Sequence, residues 1–274
     1  MPKPEIPFLL NYIIKTCEKS GYSWRIIDEH TQGLIEVSDG KRSFVVNSRY
    51  SMYPINAGFA VMLVENKIWT SMMLLKYGYK IPNGDFFYLN ANCRELRDDG
   101  KELEDADKFA DKLGYPVFVK PFDSYKGTNA RVISSKDELG KHMNTISHMS
   151  NLALIQEYLQ YPEYRFFIID GKILFSYSKS SYHIHGNKYK NVPGNYLDTH
   201  SNLLHDWAKK LMKVVNLRVF AVDVFVPLTL EDVDSFIFIE INSNPGFRTL
   251  IEFGGDDKAV SMLRDVYKKY FESL

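Results

Sequence analysis

The sequence predicts an α+β protein in which antiparallel sheets and helices form two lobes around a cleft. Three observations carry this expectation. Helix-spaced and strand-spaced apolar patterns are mixed along the whole chain. Two-residue Asp-Gly turns, Asp39-Gly40 and Asp170-Gly171, join neighbouring strand patterns as hairpins. The regular strand–helix–strand alternation that winds a parallel sheet is missing. At 274 residues the chain also lies at about the upper limit for one hydrophobic core.

The elements are predicted in order as follows. A helix covers 7–20, followed by short strands over 22–27, 33–37 and 42–48, the last two joined by Asp39-Gly40. From Glu65 the pattern turns helical, with Ile68, Met72 and Leu75 on one face, Gly78 just past the end and Ile81-Pro82 beyond it. A second amphipathic helix covers 105–113 and closes at Gly114. YPVFVKP at 115–121 reads as a strand with 130–134 as its antiparallel return, and Leu139, Met143, Ile146 and Met149 define a helix over 137–149. LALIQEY at 152–158 is a buried strand. Strands over 165–169 and 172–177 flank Asp170-Gly171, a helix covers 201–215, strands cover 219–226 and 236–241, and a last helix covers 257–271. No repeat, low-complexity tract or long linker separates these elements. The expected division is a short N-terminal α/β segment at 1–64 and two lobes at 65–158 and 159–274.

Composition narrows the function. The 34 basic side chains equal the 34 acidic ones, and the isoelectric point is near 7.1, which excludes a dedicated nucleic-acid or anionic-membrane binder. With 45% apolar and 25% charged residues, a disordered chain is excluded as well. No apolar run reaches a membrane span, and the charged start MPKPEIPFLLNYIIKTCEKS has no small-residue cleavage site. Cys17 and Cys93, far apart, read as reduced thiols, so a cytoplasmic protein is expected.

Residues with chemical potential interrupt the apolar strands. In FAVDVFV, alternation sets Ala221, Asp223 and Phe225 on one face; in FIFIEIN it sets Phe236, Phe238, Glu240 and Asn242 together. A buried carboxylate is costly unless paired or bound to a cation. If the two strands pair, Asp223, Glu240 and Asn242 bring three hard oxygen donors to one place, a set suited to Mg²⁺ with phosphates; ion pairing to Lys or Arg on the same sheet face satisfies them equally well. Lys120 closes the strand VFVK and precedes DSYKGTN, whose Ser124, Lys126 and Gly127 suit phosphate oxygens, although the spacing is not that of a Walker A loop. A strand-end lysine reaching solvent is the plainer reading. Gln156, Glu157 and Tyr158, followed by Glu163 and Arg165, end a strand where exposed main chain can meet an adenine edge. His183, His185, His200 and His205 lack the spacing of a zinc site.

Taken in order, Lys67, Lys120, the loop at 124–128, QEY at 156–158, Glu163, Arg165, Asp223 and EINSNPGF at 240–247 resemble the ATP-grasp superfamily. The sequence looks most like the ATP-grasp part of cyanophycin synthetase and of bifunctional glutathione synthetases. The likeness runs from about Gly33 to Leu274 and includes AVDVF and NPGFR. It implies an ATP-grasp fold, with an N-terminal lobe at 65–158 and a C-terminal lobe with a metal site at 159–274 gripping ATP. It further implies that Lys67 and Lys120 hold phosphates, that Ser124, Lys126 and Gly127 belong to a closing loop, and that Gln156 with the backbone of Glu157 and Leu159 meets adenine. Glu163 matches the ribose carboxylate, Asp223, Glu240 and Asn242 match the ligands of two Mg²⁺ ions, and Arg165, Lys179 and Arg248 fall where basic residues approach the transferred phosphate or the acyl substrate. Two departures stand out. The loop has Asn129 where that branch usually has a second glycine, and the first 64 residues are shorter than the Rossmann-like domain that precedes the module in many such enzymes.

The activity the resemblance implies is ATP-dependent carboxylate–amine ligation through an acyl phosphate, releasing ADP and phosphate, with an amino acid or a peptide as substrate. A homo-oligomer is compatible with this, and neither nucleic acid nor membrane is expected as a partner. A kinase on the same grip and a non-catalytic ATP-binding protein are the alternatives.

Overall fold

The computed structural model describes residues 7–28, 30–48, 50–122, 127–184 and 188–274, with the backbone alone at 180–184 and 188–192. Helix α1 (Phe8–Ser20) buries Leu10, Ile13, Ile14 and Cys17 and stops at Gly21, whose φ of 71° only glycine adopts without strain. Strands β1 (Ser23–Ile26), β2 (Leu34–Ser38) and β3 (Ser43–Asn47) form an antiparallel sheet in chain order. Ile35 and Val37 on β2, with Phe44 and Val46 on β3, supply its buried face. Helices α2 (Gly58–Glu65) and α3 (Lys67–Lys76) follow, separated only by Asn66, whose side chain accepts from the N–H groups of Ile68 and Trp69 and caps α3.

The middle of the chain builds a second sheet. Strands β4 (Gly84–Tyr88), β5 (Val117–Pro121), β6 (Arg131–Ile133) and β7 (Leu152–Glu157) are ordered β4-β7-β5-β6, antiparallel throughout. Helices α4 (Leu103–Leu113) and α5 (Lys136–Ser147) join its core, where Ala106, Ala110, Leu139, Met143 and Ile146 meet Phe87, Val117, Val119 and Ile155. The third sheet holds β8 (Glu163–Ile169), β9 (Lys172–Ile184), β10 (Lys188–Leu197), β11 (Val219–Phe225) and β12 (Ile237–Asn242) in the order β10-β9-β8-β11-β12. Its neighbours are antiparallel, and Asp170 and Gly171, with φ of 47° and 73°, make the β8–β9 turn. One face packs Phe166, Ile168, Phe220, Val222 and Val224 against α6 (Asn202–Val215), α2 and α3. The other face packs Phe167, Phe175 and Val219 against α1, the three-stranded sheet and the C-terminal helices α7 (Arg248–Glu252) and α8 (Asp256–Ser273). The fold is therefore α+β with antiparallel sheets, as expected.

Four local departures from the sequence reading have physical reasons. α2 is apolar on every side, so no helical stripe announces it. On α3 the buried residues are Thr70 and Leu74, while Met72 and Leu75 face out at 64% and 56% exposure; the helix has more apolar residues than one face holds, and the sequence pattern picks the wrong ones. β4 and β10 sit in turn-rich sequence, PNGDFF and KNVPGNYL, and are held by their neighbours. In β12, Asp223 lies opposite Glu240 but Val224 lies opposite Phe238, so Ile239 is an extra residue in a β-bulge. The bulge resets alternation, turning Phe236 and Phe238 into the core while Glu240 and Asn242 face the other way.

The N-terminal segment is tied to the far end of the chain. Asn56 donates through Nδ2 to the carbonyls of Val219 (2.7 Å) and Ser243 (3.1 Å), and its Oδ1 accepts from the N–H groups of Arg218 and Val219, both at 2.9 Å. Tyr53 donates to Pro245 O at 2.7 Å, and Asn244 Oδ1 accepts from Met52 N–H at 2.8 Å. Asn56 thus joins the start of β11 to the end of β12. Replacing it by alanine strands several main-chain groups in a half-buried site, and Asn56→Ala should lower stability by about 2–3 kcal/mol, read as a drop in Tm with helix and strand content retained.

Candidate active site

Between the four-stranded and five-stranded sheets, charged side chains from both converge. On the five-stranded sheet they form a row across neighbouring strands: Lys179 of β9 lies opposite Glu163 of β8, Arg165 of β8 opposite Asp223 of β11, and Asp223 opposite Glu240 of β12. Strict alternation in β8 and β11 places this row on the same face as Phe167 and Val219, so one sheet face is apolar where the N-terminal segment covers it and charged where it meets the cleft.

The centre of the row is Asp223, which is 3% exposed. Arg165 reaches it with two guanidinium bonds, Nε to Oδ1 and Nη2 to Oδ2, both 2.6 Å. Lys179 Nζ donates to Oδ2 at 2.8 Å and also to Glu163 Oε1. Burial works against ionising Asp223, but Arg165 and then Lys179 outweigh it and hold the carboxyl well below the usual range. Burial likewise opposes the charges of Arg165 and Lys179, and Asp223 more than restores both. Glu163 is the loser: burial raises its pKa, only partly countered by Lys179. The ion-pair reading of Asp223 is thus realised in the structure.

From the facing sheet comes Lys120, at the end of β5. Its ammonium is pushed down to about 8, first by burial, with Lys67 adding to the fall and Glu240 and Glu163 opposing it. Those carboxylates belong to the five-stranded sheet, so the coupling shows that Lys120 looks across the cleft at them. Lys67, at the start of α3, donates to Phe122 O at 2.7 Å, which brings it to the mouth of the loop after β5. Ser124 and Lys126 lie outside the described residues. Gly127 and Asn129 both take left-handed φ, 68° and 57°. Asparagine tolerates that conformation, so Asn129 supplies the turn geometry that a second glycine would.

Gln156 is buried in β7 and sits opposite Gly84 of β4. The sequence reading passed over Gly84. A Cβ there would meet Ile155 O at 2.6 Å and Gln156 Cγ at 2.7 Å, so only glycine lets β4 close on this strand. Glu157 is bound on both sides by Asn83: its N–H donates to Asn83 O at 2.7 Å and its Oε1 accepts from Asn83 N–H at 2.8 Å. Its N–H is thereby unavailable to a base edge. Leu159 follows half-buried, just past the strand. Arg248, at the start of α7, lies over the Phe8 ring at 4.1 Å, so its planar cation is occupied by α1. Among the described residues, PNG at 82–84 was the available signal for the β4 edge, and it reads equally as a plain turn.

The donor set can be judged for a metal. Among the described residues no three His, Cys, Asp or Glu side chains cluster to hold an ion by themselves. Asp223 and Glu240 are nonetheless directly opposite on paired strands, where like charges repel unless a cation stands between them. Arg165 and Lys179 provide that cation for Asp223, while Glu240 is exposed; Asn242 shares its face and accepts from Asn244 N–H at 2.9 Å. Two carboxylates and an amide oxygen are hard donors that fit Mg²⁺.

The chain is similar to known proteins over most of its length. The model of the RimK-like ATP-grasp domain matches residues 60–266. D-alanine–D-alanine ligase of Acetivibrio thermocellus is 25% identical over 198 residues, 68% of this chain and 50% of that one. The bifunctional glutathione biosynthesis protein GshAB of Listeria innocua is 26% identical over 117 residues, 42% of this chain and 14% of that one. The chain thus spans half or less of these relatives. Among solved structures, the ATP-grasp ligase PsnB complexed with a phosphomimetic variant of minimal precursor, Mg and ADP has a TM-score of 0.55 at 17% identity, covering 78% of this chain and 60% of that one. D-alanine–D-alanine ligase from Bacillus anthracis complexed with ATP gives 0.54 at 18%, covering 80% and 70%. With most of its length matched and the same α+β architecture, the chain belongs to the RimK-like ATP-grasp domain family.

Proposed function

We propose that the protein is an ATP-dependent carboxylate–amine ligase that forms an amide bond on an amino-acid or peptide substrate, releasing ADP and phosphate. The observation that carries this reading is the convergence, from helix α3 and two sheets, of Lys67, Lys120, Arg165 and Lys179 on the same cleft as Asp223, Glu240 and Asn242. A polyphosphate needs several cations, and a transferred phosphoryl group needs charge neutralisation more than covalent help. Family membership supports the ligase class, since D-alanine–D-alanine ligase and PsnB, named above, are ligases.

In the proposed reaction a substrate carboxylate oxygen attacks the γ-phosphorus of ATP, the bond to the β-phosphate oxygen breaks, and an acyl phosphate and ADP result. The substrate amine then attacks the acyl carbon, phosphate leaves, the nitrogen loses a proton, and an amide remains. Lys120 and Lys67 hold phosphate oxygens from one side, while Arg165 and Lys179 face the transferred group from the other. Asp223 and Glu163 keep those two cations extended into the cleft. Mg²⁺, arriving with the nucleotide, would be held by Glu240 and Asn242, with Asp223 beside them, and would neutralise phosphate charge; two ions match the family pattern. Gln156 and the main chain around Leu159 line the base end, and Ser124, Lys126 and Gly127 lie in the loop assigned to cover the phosphates.

The reading is tested by a panel of carboxylates and amines, with ADP release followed and the products weighed by mass spectrometry. ADP release that needs both substrates, with an amide product, is expected; a stable phosphorylated product without amine, or ATP binding with no turnover across the panel, overturns it. Glu240→Ala should lower kcat/KM about a hundredfold or more, roughly 3 kcal/mol of transition-state stabilisation, and near wild-type turnover would remove Glu240 from the metal site. A pH profile gives an independent check. Lys120 is charged below about 8, so kcat/KM for ATP should fall as pH rises through that value, and Lys120→Arg, which stays charged, should move the alkaline limb upward. The effect on stability has the opposite sign: the ordinary value of 10.5 means that the unfolded chain binds the extra proton between about 8 and 10.5, so this group's contribution favours folding more as pH rises through that window.

A further inference from the structure

The elbow between α2 and α3 makes a contact that the proposed reaction does not use. Glu65 is the last residue of α2, Asn66 is the single residue between the helices, and Lys67 opens α3. Glu65 is exposed, yet its Oε1 accepts from Ser243 Oγ at 2.5 Å. Ser243 is only 3% exposed and directly follows Asn242, the last residue of β12. A hydroxyl so far withdrawn from water needs a partner, and Glu65 supplies it from 178 residues away in the chain.

Ser243 is the middle of a short turn that begins at Asn242. Within that turn Asn244 N–H donates to Asn242 Oδ1 at 2.9 Å and so sets the direction of that oxygen. Asn56 Nδ2 donates to Ser243 O at 3.1 Å, and Met52 N–H donates to Asn244 Oδ1 at 2.8 Å. Those two holds come from the N-terminal segment. The third, on the Ser243 side chain, comes from the elbow that also carries Lys67, whose Nζ reaches Phe122 O beyond β5 of the facing sheet. The two residues flanking Asn66 therefore connect opposite walls of the cleft, Glu65 to the end of β12 and Lys67 to the loop after β5. Lys67 does not depend on the Glu65 bond, because Asn66 caps the start of α3 and Phe122 O holds Nζ separately.

We infer that Glu65 is a positioning residue for the metal-binding amide: through Ser243 it fixes the turn that orients Asn242 Oδ1, the oxygen assigned to Mg²⁺. The inference deepens the proposed function and rests on the assignment of Glu240 and Asn242 to the metal. A carboxylate makes the bond to the hydroxyl short and charge-assisted. Removing a partner that orients a metal ligand typically costs about 10–100-fold in metal affinity.

Calorimetric titration of ADP, with Mg²⁺ in excess, at stepped lower concentrations, and removed by EDTA, separates the metal contacts from the phosphate contacts. Wild-type protein should bind ADP more tightly with Mg²⁺ than without it. Glu65→Ala and Ser243→Ala should each raise the Mg²⁺ concentration needed for half of that gain about tenfold and leave ADP binding in EDTA unchanged. Ser243→Ala deletes the hydroxyl and strands no donor, so it folds as the wild type does and carries the test if Glu65→Ala is unstable. The double variant should be no weaker than either single one, since both remove the same bond. Glu65→Gln, whose amide oxygen still accepts, should recover most of the Mg²⁺ dependence. Wild-type binding that ignores Mg²⁺ would overturn the metal assignment and this inference with it. A Mg²⁺ dependence that survives both alanine variants, a loss that is equal with and without Mg²⁺, or a further loss in the double variant would overturn this inference and leave the metal assignment standing.

Discussion

Asp223 is buried in the middle of a sheet and binds two cations at once. Taking such a carboxylate out of water costs several kcal/mol, and the cost is offset only because Arg165 grips both of its oxygens and Lys179 adds a third contact. Those cations are themselves largely withdrawn from water and are held charged by the same carboxylate. Four strands must therefore align in one register for the network to exist, since Lys179, Glu163, Arg165, Asp223 and Glu240 each come from neighbouring positions on β9, β8, β11 and β12. A slip of one residue in any strand would turn a charge into the apolar core. The site and the sheet thus specify each other.

The rest of the architecture serves to keep that register. Asn56 ties β11 to the end of β12 through its amide, and Tyr53 and Met52 hold the Asn244-Pro245 turn. The N-terminal segment is consequently no appendage. Its sheet and α1 share a core with α8 and with Phe167 and Phe175 of the five-stranded sheet, so the two ends of the chain close over the apolar end of the face whose other end carries the charges. The bulge at Ile239 has a matching role: it lets Phe238 stay in the core while Glu240 and Asn242 turn toward the cleft.

Much of this was legible in the sequence because it rests on local patterns. The Asp-Gly hairpins, the alternating strands and the helices closed by glycine follow from backbone preference and apolar spacing, and the order of Lys120, Gln156, Arg165, Asp223 and Glu240 was enough to indicate the family. Asp223 was legible as a charge in an apolar strand, with a cation or a metal as its partner left open. What the pattern misjudged was the outward face of α3, where Met72 and Leu75 look like core residues by composition, and the hidden helix α2, which has no polar face to mark it.

By itself, then, the sequence determined the α+β class and most of the element boundaries and supplied the residues proposed to handle phosphate and metal, because each depends on neighbours within a few positions. Only the tertiary structure decided how those residues are used. Which partner satisfies Asp223, how far burial and Lys67 drive Lys120 down, why Gly84 must lack a side chain, and which helix face stays bare all depend on contacts between segments distant in the chain. Such contacts are set by packing and register, and no local spacing encodes them.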